Sequence, residues 1–130
     1  MADRPFFTIL TPVYKGMDFV PGCADSVRAQ GFDDYEHLLI DDGSPDGSGA
    51  LCDELAAGDG RIRVIHQQNA GVTGARNTGI AAARGRYLLF LDQDDRLGPC
   101  ALRAIAAALR ESGDDLVSWH HHGQWGEMCA

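Results

Sequence analysis

The sequence predicts an α/β domain: a mostly parallel sheet with helices on both faces. Three observations predict it. Apolar runs of strand length alternate with segments whose apolar residues recur at helical spacing. Proline and glycine punctuate the joins between them. Three of the apolar runs also end in polar chemistry, at Pro12-Val13-Tyr14, Asp41-Asp42 and Asp92-Gln93-Asp94. Parallel strands bring such ends to one edge, where open α/β sheets bind ligands.

The first strand is Phe6-Phe7-Thr8-Ile9-Leu10, closed at Thr11-Pro12 because proline cannot donate to a ladder. A helix follows over 18–30. Pro21 suits its first turn, Val20, Ala24 and Val27 share a face, and Gly31 suits the C-terminal cap. The second strand, His37-Leu38-Leu39-Ile40, runs into the turn-forming stretch Asp41-Asp42-Gly43-Ser44-Pro45-Asp46-Gly47. Asp46 or Ser48 can cap the next helix, which carries Leu51 and Leu55. Residues 61–66 alternate polar and apolar, as a half-exposed strand does.

A third helix is expected over 71–84, with Val72, Ala75, Ile80 and Ala83 along one side as an apolar stripe and Gly85 stopping it. Residues 87–91 form a strongly apolar strand. Pro99 opens a fourth helix with Leu102, Ile105, Ala106 and Leu109 inward and Gly113 closing it, and residues 116–119 fit one more strand. The 130 residues suit one domain spanning 1–130, since domains run to roughly 100–200 residues.

Composition narrows the function classes. The formal net charge is -8, from 19 acidic and 11 basic residues, which argues against a nucleic-acid partner. It leaves room for a nucleotide, because a metal can bridge carboxylates to a diphosphate. Cys23, Cys52, Cys100 and Cys129 form no Cys-x-x-Cys pair and read as isolated thiols of a reducing compartment. The N-terminal residues lack a signal pattern, and no apolar run reaches the ~18–20 residues of a membrane helix. A cytoplasmic protein is expected, with peripheral membrane contact left open.

Asp92, Asp94 and Asp95 crowd one turn after an apolar strand. Close carboxylates repel, and a divalent cation relieves that repulsion; hard oxygen ligands select Mg²⁺ or Mn²⁺. A solvated acidic turn is the plainer alternative. Asp41 and Asp42 can accept hydrogen bonds from a base or ribose, or serve the turn. Tyr14 can stack on a base or sit as an edge aromatic. Gly47-Ser48-Gly49 fails as a dinucleotide fingerprint because Cys52 stands where its last glycine belongs, and Gly71-Val72-Thr73-Gly74 lacks the Lys-Ser/Thr of a phosphate loop. In His120-His121-His122 consecutive strand residues would face opposite ways, which disfavours a histidine metal site. Trp119 and Trp125 read as packing residues.

Taken in order, several stretches resemble the family-2 glycosyltransferases: Pro12-Val13-Tyr14-Lys15; Asp25-Ser26-Val27-Arg28-Ala29-Gln30; Ile40-Asp41-Asp42-Gly43-Ser44-Pro45-Asp46-Gly47-Ser48; Asn69-Ala70-Gly71 with Ala75-Arg76-Asn77-Thr78-Gly79-Ile80; and Phe90-Leu91-Asp92-Gln93-Asp94-Asp95. The likeness covers about residues 6–110 and leaves 114–130 poorly matched. It implies a GT-A fold and a nucleoside-diphosphate sugar donor such as a UDP-sugar. By that resemblance Pro12 and Tyr14 line the base pocket, Asp42 holds the base, and Arg76 lies near the base or diphosphate. Asp92 lies by the ribose and metal, and Asp94 is the main ligand of Mn²⁺ or Mg²⁺.

The resemblance also implies transfer with inversion to a saccharide or lipid-linked acceptor, in a family that often builds surface polysaccharides. The family's acceptor half and general base follow the Asp-x-Asp turn. Glu127 does not match that region, so no base is assigned. The sequence therefore leaves two alternatives to the enzyme: a non-catalytic nucleotide-sugar-binding module and, less well matched because Arg96 stands where Thr or Val belongs, a haloacid-dehalogenase-type phosphatase.

Overall fold

The computed structural model describes residues 4–112. The strand expected at 116–119, the three consecutive histidines, both tryptophans, Glu127 and Cys129 lie outside that range. Elements alternate strictly: β1 (Phe7–Val13), α1 (Val20–Arg28), β2 (Tyr35–Asp42), α2 (Ser48–Gly58), β3 (Ile62–Gln67), α3 (Gly71–Ala82), β4 (Tyr87–Phe90) and α4 (Ala101–Ser112). All strand pairs are parallel and the order is β3-β2-β1-β4.

Side chains alternate across a strand, so β1 and β2 each feed both layers. Phe7, Ile9 and Val13 of β1, with Leu39 of β2, face α1, α2 and α4. They pack on Val20, Cys23, Ala24, Val27, Cys52, Leu102, Ile105 and Leu109. Leu10, Leu38 and Ile40 face the other way and pack on Ala75 of α3. Helices thus cover both faces, as the sequence predicts. α1 buries Val20, Cys23, Ala24 and Val27, a single helical stripe. Gln30, buried after that helix, donates to Ser26 O and Gly98 O and accepts from Leu102 N, which ties α1 to the start of α4.

Four expectations need correction. Pro12 lies inside β1 rather than closing it, paired with Ile40 of β2. Leu10 O accepts from Leu91 N on the other side. Two residues on, the Pro12 nitrogen faces that same side, where β4 has already ended, so no donor is missed. Asp41 and Asp42 likewise belong to β2 and are both buried. On α3, Val72 and Ile80 are exposed, and the sheet-facing residues are Ala75 and Gly79. The helix sits so close that a Cβ on Gly79 would overlap Leu10. Finally, Cys23 and Cys52 are free and buried, whereas Cys100, half-buried on the turn before α4, is disulfide-bonded and is not an isolated thiol.

Candidate functional site

The order β3-β2-β1-β4 places a topological switch between β1 and β4: the chain leaves β1 toward β2 and β3, then crosses back to β4 on β1's other side. Crevices at such points, beyond the carboxyl ends of the strands, are the ligand sites of open α/β sheets. A cleft of about 480 Å³ lies there, lined by Pro12, Val13, Tyr14, Asp42, Asn69, Gly71, Val72, Arg76, Asp92, Gln93 and Asp94. All six residues singled out by sequence, Pro12, Tyr14, Asp42, Arg76, Asp92 and Asp94, line it together.

Asp42 forms its inner wall. Its Oδ1 accepts from Gln67 Nε2 at 2.9 Å and from Ala70 N at 2.8 Å, and its carbonyl accepts from Asn69 Nδ2 at 3.1 Å. Thr78 Oγ1 in turn donates to Gln67 Oε1 at 2.6 Å, so α3 fixes the amide that fixes the carboxylate. Gly43 then turns away with φ 69, a left-handed conformation that favours glycine, and a Cβ there would meet Asn69 N at 2.7 Å.

Asp41 points to the opposite face. Its Oδ1 accepts from Ser44 N at 3.1 Å and its Oδ2 lies 2.8 Å from His66 Nδ1; His66 Nε2 lies 2.9 Å from Asp53 Oδ1. Burial alone would raise the Asp41 carboxyl, but the hydrogen bonds from His66 and Ser44 outweigh it and the net shift is down. His66, hydrogen-bonded between Asp41 and Asp53, is shifted up. Two adjacent aspartates therefore do different work: Asp42 lines the cleft and Asp41 braces the turn behind it.

The acidic turn follows β4. Asp92, Asp94 and Asp95 are exposed, and each offers a carboxylate oxygen within 4.8 Å of the others. Three hard oxygen donors so close, in the open, are the donor set a divalent cation takes, with positions left for phosphate and water. Arg76 Nη2 lies 3.4 Å from Asp92 Oδ1, and its guanidinium rests 5.7 Å from the Phe90 ring centroid. Arg76 Nε is buried without a hydrogen-bond partner. Beneath the turn, Cys23 Sγ contacts Asp92 O at 3.7 Å. Burial above all, then the charges of the acidic turn, push its thiol up to about 11, so it stays protonated although its hydrogen bond to Thr11 opposes the shift.

Sequence reasoning passed over Gln93. Its Oε1 accepts from Tyr14 N at 3.0 Å and its Nε2 donates to Tyr14 O at 2.9 Å, which joins the turn after β4 to the end of β1. It also passed over Asn69, Gly71 and Val72 as cleft residues; the Asn69-Ala70-Gly71 stretch was the available signal. Lys15, next to Tyr14, adopts φ 51 and donates its N–H to Ser44 Oγ at 3.2 Å, so the β1 and β2 loops are also tied.

This architecture recurs in solved structures. The chain superposes with a TM-score of 0.76 on TarS residues 1–349 from S. aureus, solved in complex with UDP, at 24% identity over 82% of this chain and 32% of that one. It superposes with a TM-score of 0.72 on the mannosyltransferase PcManGT from Pyrobaculum calidifontis, solved with GDP-Man and Mn²⁺, at 21% identity over 80% of this chain and 32% of that one. The fold is of GT-A type.

The chain belongs to glycosyl transferase family 2, whose profile matches residues 8–123. Among curated relatives it is similar to the uncharacterized glycosyltransferase EpsJ of Bacillus subtilis (strain 168), 41% identical over 113 residues, covering 87% of this chain and 33% of that protein. It is also similar to the glycosyltransferase GlyG of Streptococcus pneumoniae serotype 4, 31% identical over 116 residues, covering 88% and 38%. The chain spans about a third of the length of these relatives.

Proposed function

We propose that this chain is the donor-binding part of a glycosyltransferase that takes a nucleoside-diphosphate sugar, a UDP-sugar by preference, and passes the sugar to a saccharide or lipid-linked acceptor with inversion. The observation that carries the reading is the gathering of Tyr14, Asp42, Arg76, Asp92 and Asp94 around one cleft at the sheet's switch point. The UDP on TarS and the GDP-Man and Mn²⁺ on PcManGT support it.

In this reading residues 1–130 act as one nucleotide-sugar-binding domain. Pro12 and Tyr14 form the apolar side of the base pocket. Asp42, held by Gln67 and Ala70, offers a fixed acceptor to a base N–H. Arg76 provides donors beside Asp92, where the diphosphate lies. Asp94 and Asp92 would hold Mn²⁺ or Mg²⁺, and such an ion supplies Lewis-acid stabilisation of the charge on a departing diphosphate. Asp95, within reach of both, completes the donor set.

A cytoplasmic location belongs to the same proposal. The free thiols of Cys23 and Cys52 favour it, and the Cys100 disulfide runs against it. The redox state of Cys100 in cells decides the point. No helix among the described residues is long and apolar enough to cross a membrane.

Calorimetry with uridine diphosphate tests the donor reading. Binding should strengthen with Mn²⁺, and Asp94→Ala should remove most of that gain. Equal binding with and without metal would refute the role of Asp94. Incubation with UDP-sugars then separates an enzyme from a binding module: release of uridine diphosphate marks turnover, and tight binding without release marks the module.

A further inference from the structure

The amino ends of the strands, opposite the donor cleft, hold a second concavity of about 620 Å³, lined by Arg4, Phe6, Asp34, Arg86, Tyr87 and Arg110. In a chain of net charge -8, three guanidinium groups around one cavity stand out. Arg4 is fixed in place: its Nε donates to Arg84 O and its Nη2 to Gly85 O, each at 3.1 Å. An arginine has five N–H donors, so three remain. Arg110 lies over the Phe6 ring, 4.8 Å from its centroid. Phe6 and Tyr87 form a shelf with ring centroids 5.0 Å apart. Arg86 is anchored through its backbone, its N–H donating to Pro5 O at 2.9 Å.

Among the described residues none of the three arginines makes an ion pair, and Asp34 is the one acidic side chain in the lining. Three like charges converge with partial compensation. Planar guanidinium forks match phosphate oxygens bidentately, and a multiply charged anion offsets more of the repulsion than a single carboxylate does.

We propose that this cavity binds a phosphate-bearing ligand, with Arg4, Arg86 and Arg110 gripping the phosphate and Phe6 and Tyr87 supporting its apolar neighbour. The phosphate can belong to a soluble compound or to a lipid headgroup. The site is separate from the donor cleft and does not depend on the donor reading.

The test uses the 130-residue chain, freed of divalent metal so that the acidic turn contributes little affinity. Inorganic pyrophosphate is titrated calorimetrically, and the chain is sedimented with vesicles of phosphatidylglycerol or of phosphatidylcholine. The variants are Arg86→Gln and Arg110→Gln, which spare the Arg4 contacts to the backbone. Each should weaken binding by roughly fivefold or more, and the pair should abolish it, as loss of charge-assisted bonds predicts. Lysine at either position should restore part of it, which separates charge from fold. Pyrophosphate binding without vesicle binding assigns a soluble ligand; sedimentation with phosphatidylglycerol alone assigns a headgroup. The proposal is overturned if neither probe binds, or if the Arg86→Gln/Arg110→Gln pair binds as the parent does; loss of the signal in Arg76→Gln would then place the anion in the donor cleft instead.

Discussion

Gln93 clasps the backbone of Tyr14, accepting from its N–H and donating to its carbonyl. The pairing spans the switch between β1 and β4, and it sets the acidic turn at a fixed distance from the aromatic side of the cleft. Gly16 leaves room for it, since a Cβ there would overlap Gln93 Oε1. Each neutral hydrogen bond contributes ~1 kcal/mol net. Gln93→Ala should therefore weaken UDP binding in Mn²⁺ by roughly tenfold, although Gln93 is assigned neither metal nor base. Calorimetry giving the parent affinity for Gln93→Ala would show that the clasp is not needed to form the site.

Asp42 permits a cleaner separation of structure from recognition. In Asp42→Asn the amide carbonyl can still accept from Gln67 Nε2 and Ala70 N, so the fold should keep its melting temperature. An NH2 donor replaces the other oxygen, and a base N–H loses its acceptor. UDP affinity should fall by about tenfold or more, the cost of one mismatched polar contact. Asp42→Ala should instead leave two donors unsatisfied and destabilise the fold by ~1–3 kcal/mol. Unchanged affinity in Asp42→Asn would remove Asp42 from base recognition.

α3 approaches the sheet through Gly79, and two effects compete there. Alanine in a helix interior is favoured over glycine by ~1 kcal/mol. Against this, the new Cβ would overlap the fully buried Leu10 side chain. Overpacking of this kind costs ~1–3 kcal/mol. Gly79→Ala should therefore lower the urea midpoint, and Gly79→Val should lower it further. A raised midpoint would mean that α3 is free to shift outward.

The layer order and the cleft were legible in sequence for a specific reason. Strand and helix periods alternate without interruption, and parallel connections leave few topologies, so acidic strand ends distant in the chain had to share an edge. What escaped was set by distance rather than pattern. Val72 and Ile80 look like core residues, yet the close approach at Gly79 turns small residues inward and leaves both large ones exposed. Asp41 and Asp42 look equivalent, and only strand alternation, visible once β2 extends through both, sends them to opposite faces. Gln93 carries no signal of its own, because its partner is the backbone of Tyr14, just past the end of β1 and 79 residues away in the chain.

His37 sets the last expectation, a dependence of stability on pH. It is buried on the α1 face of β2, where its Nε2 meets Thr11 Oγ1 at 2.9 Å and its Nδ1 has no partner. Charging the ring would bury an unpaired N–H, and burial pushes its pKa down from 6.5 to about 4, with Asp59 opposing weakly. The unfolded chain takes up this proton below 6.5 and the folded one does not, so stability falls as pH drops from 6.5 toward 4. At 1.36 kcal/mol per pKa unit the full loss is about 3 kcal/mol. The other shifted groups do not mimic this. His66 is shifted up, so its contribution is fully present below 6.5 and is lost as pH rises through its folded value. Glu36 and Asp41 are shifted down from 4.5 and 3.8, so their contributions are lost only at and below those values. Urea midpoints between pH 6.5 and 5 should therefore decline in the parent and stay nearly level in His37→Gln. Equal slopes for the two proteins would show that His37 takes up its proton without unfolding the core.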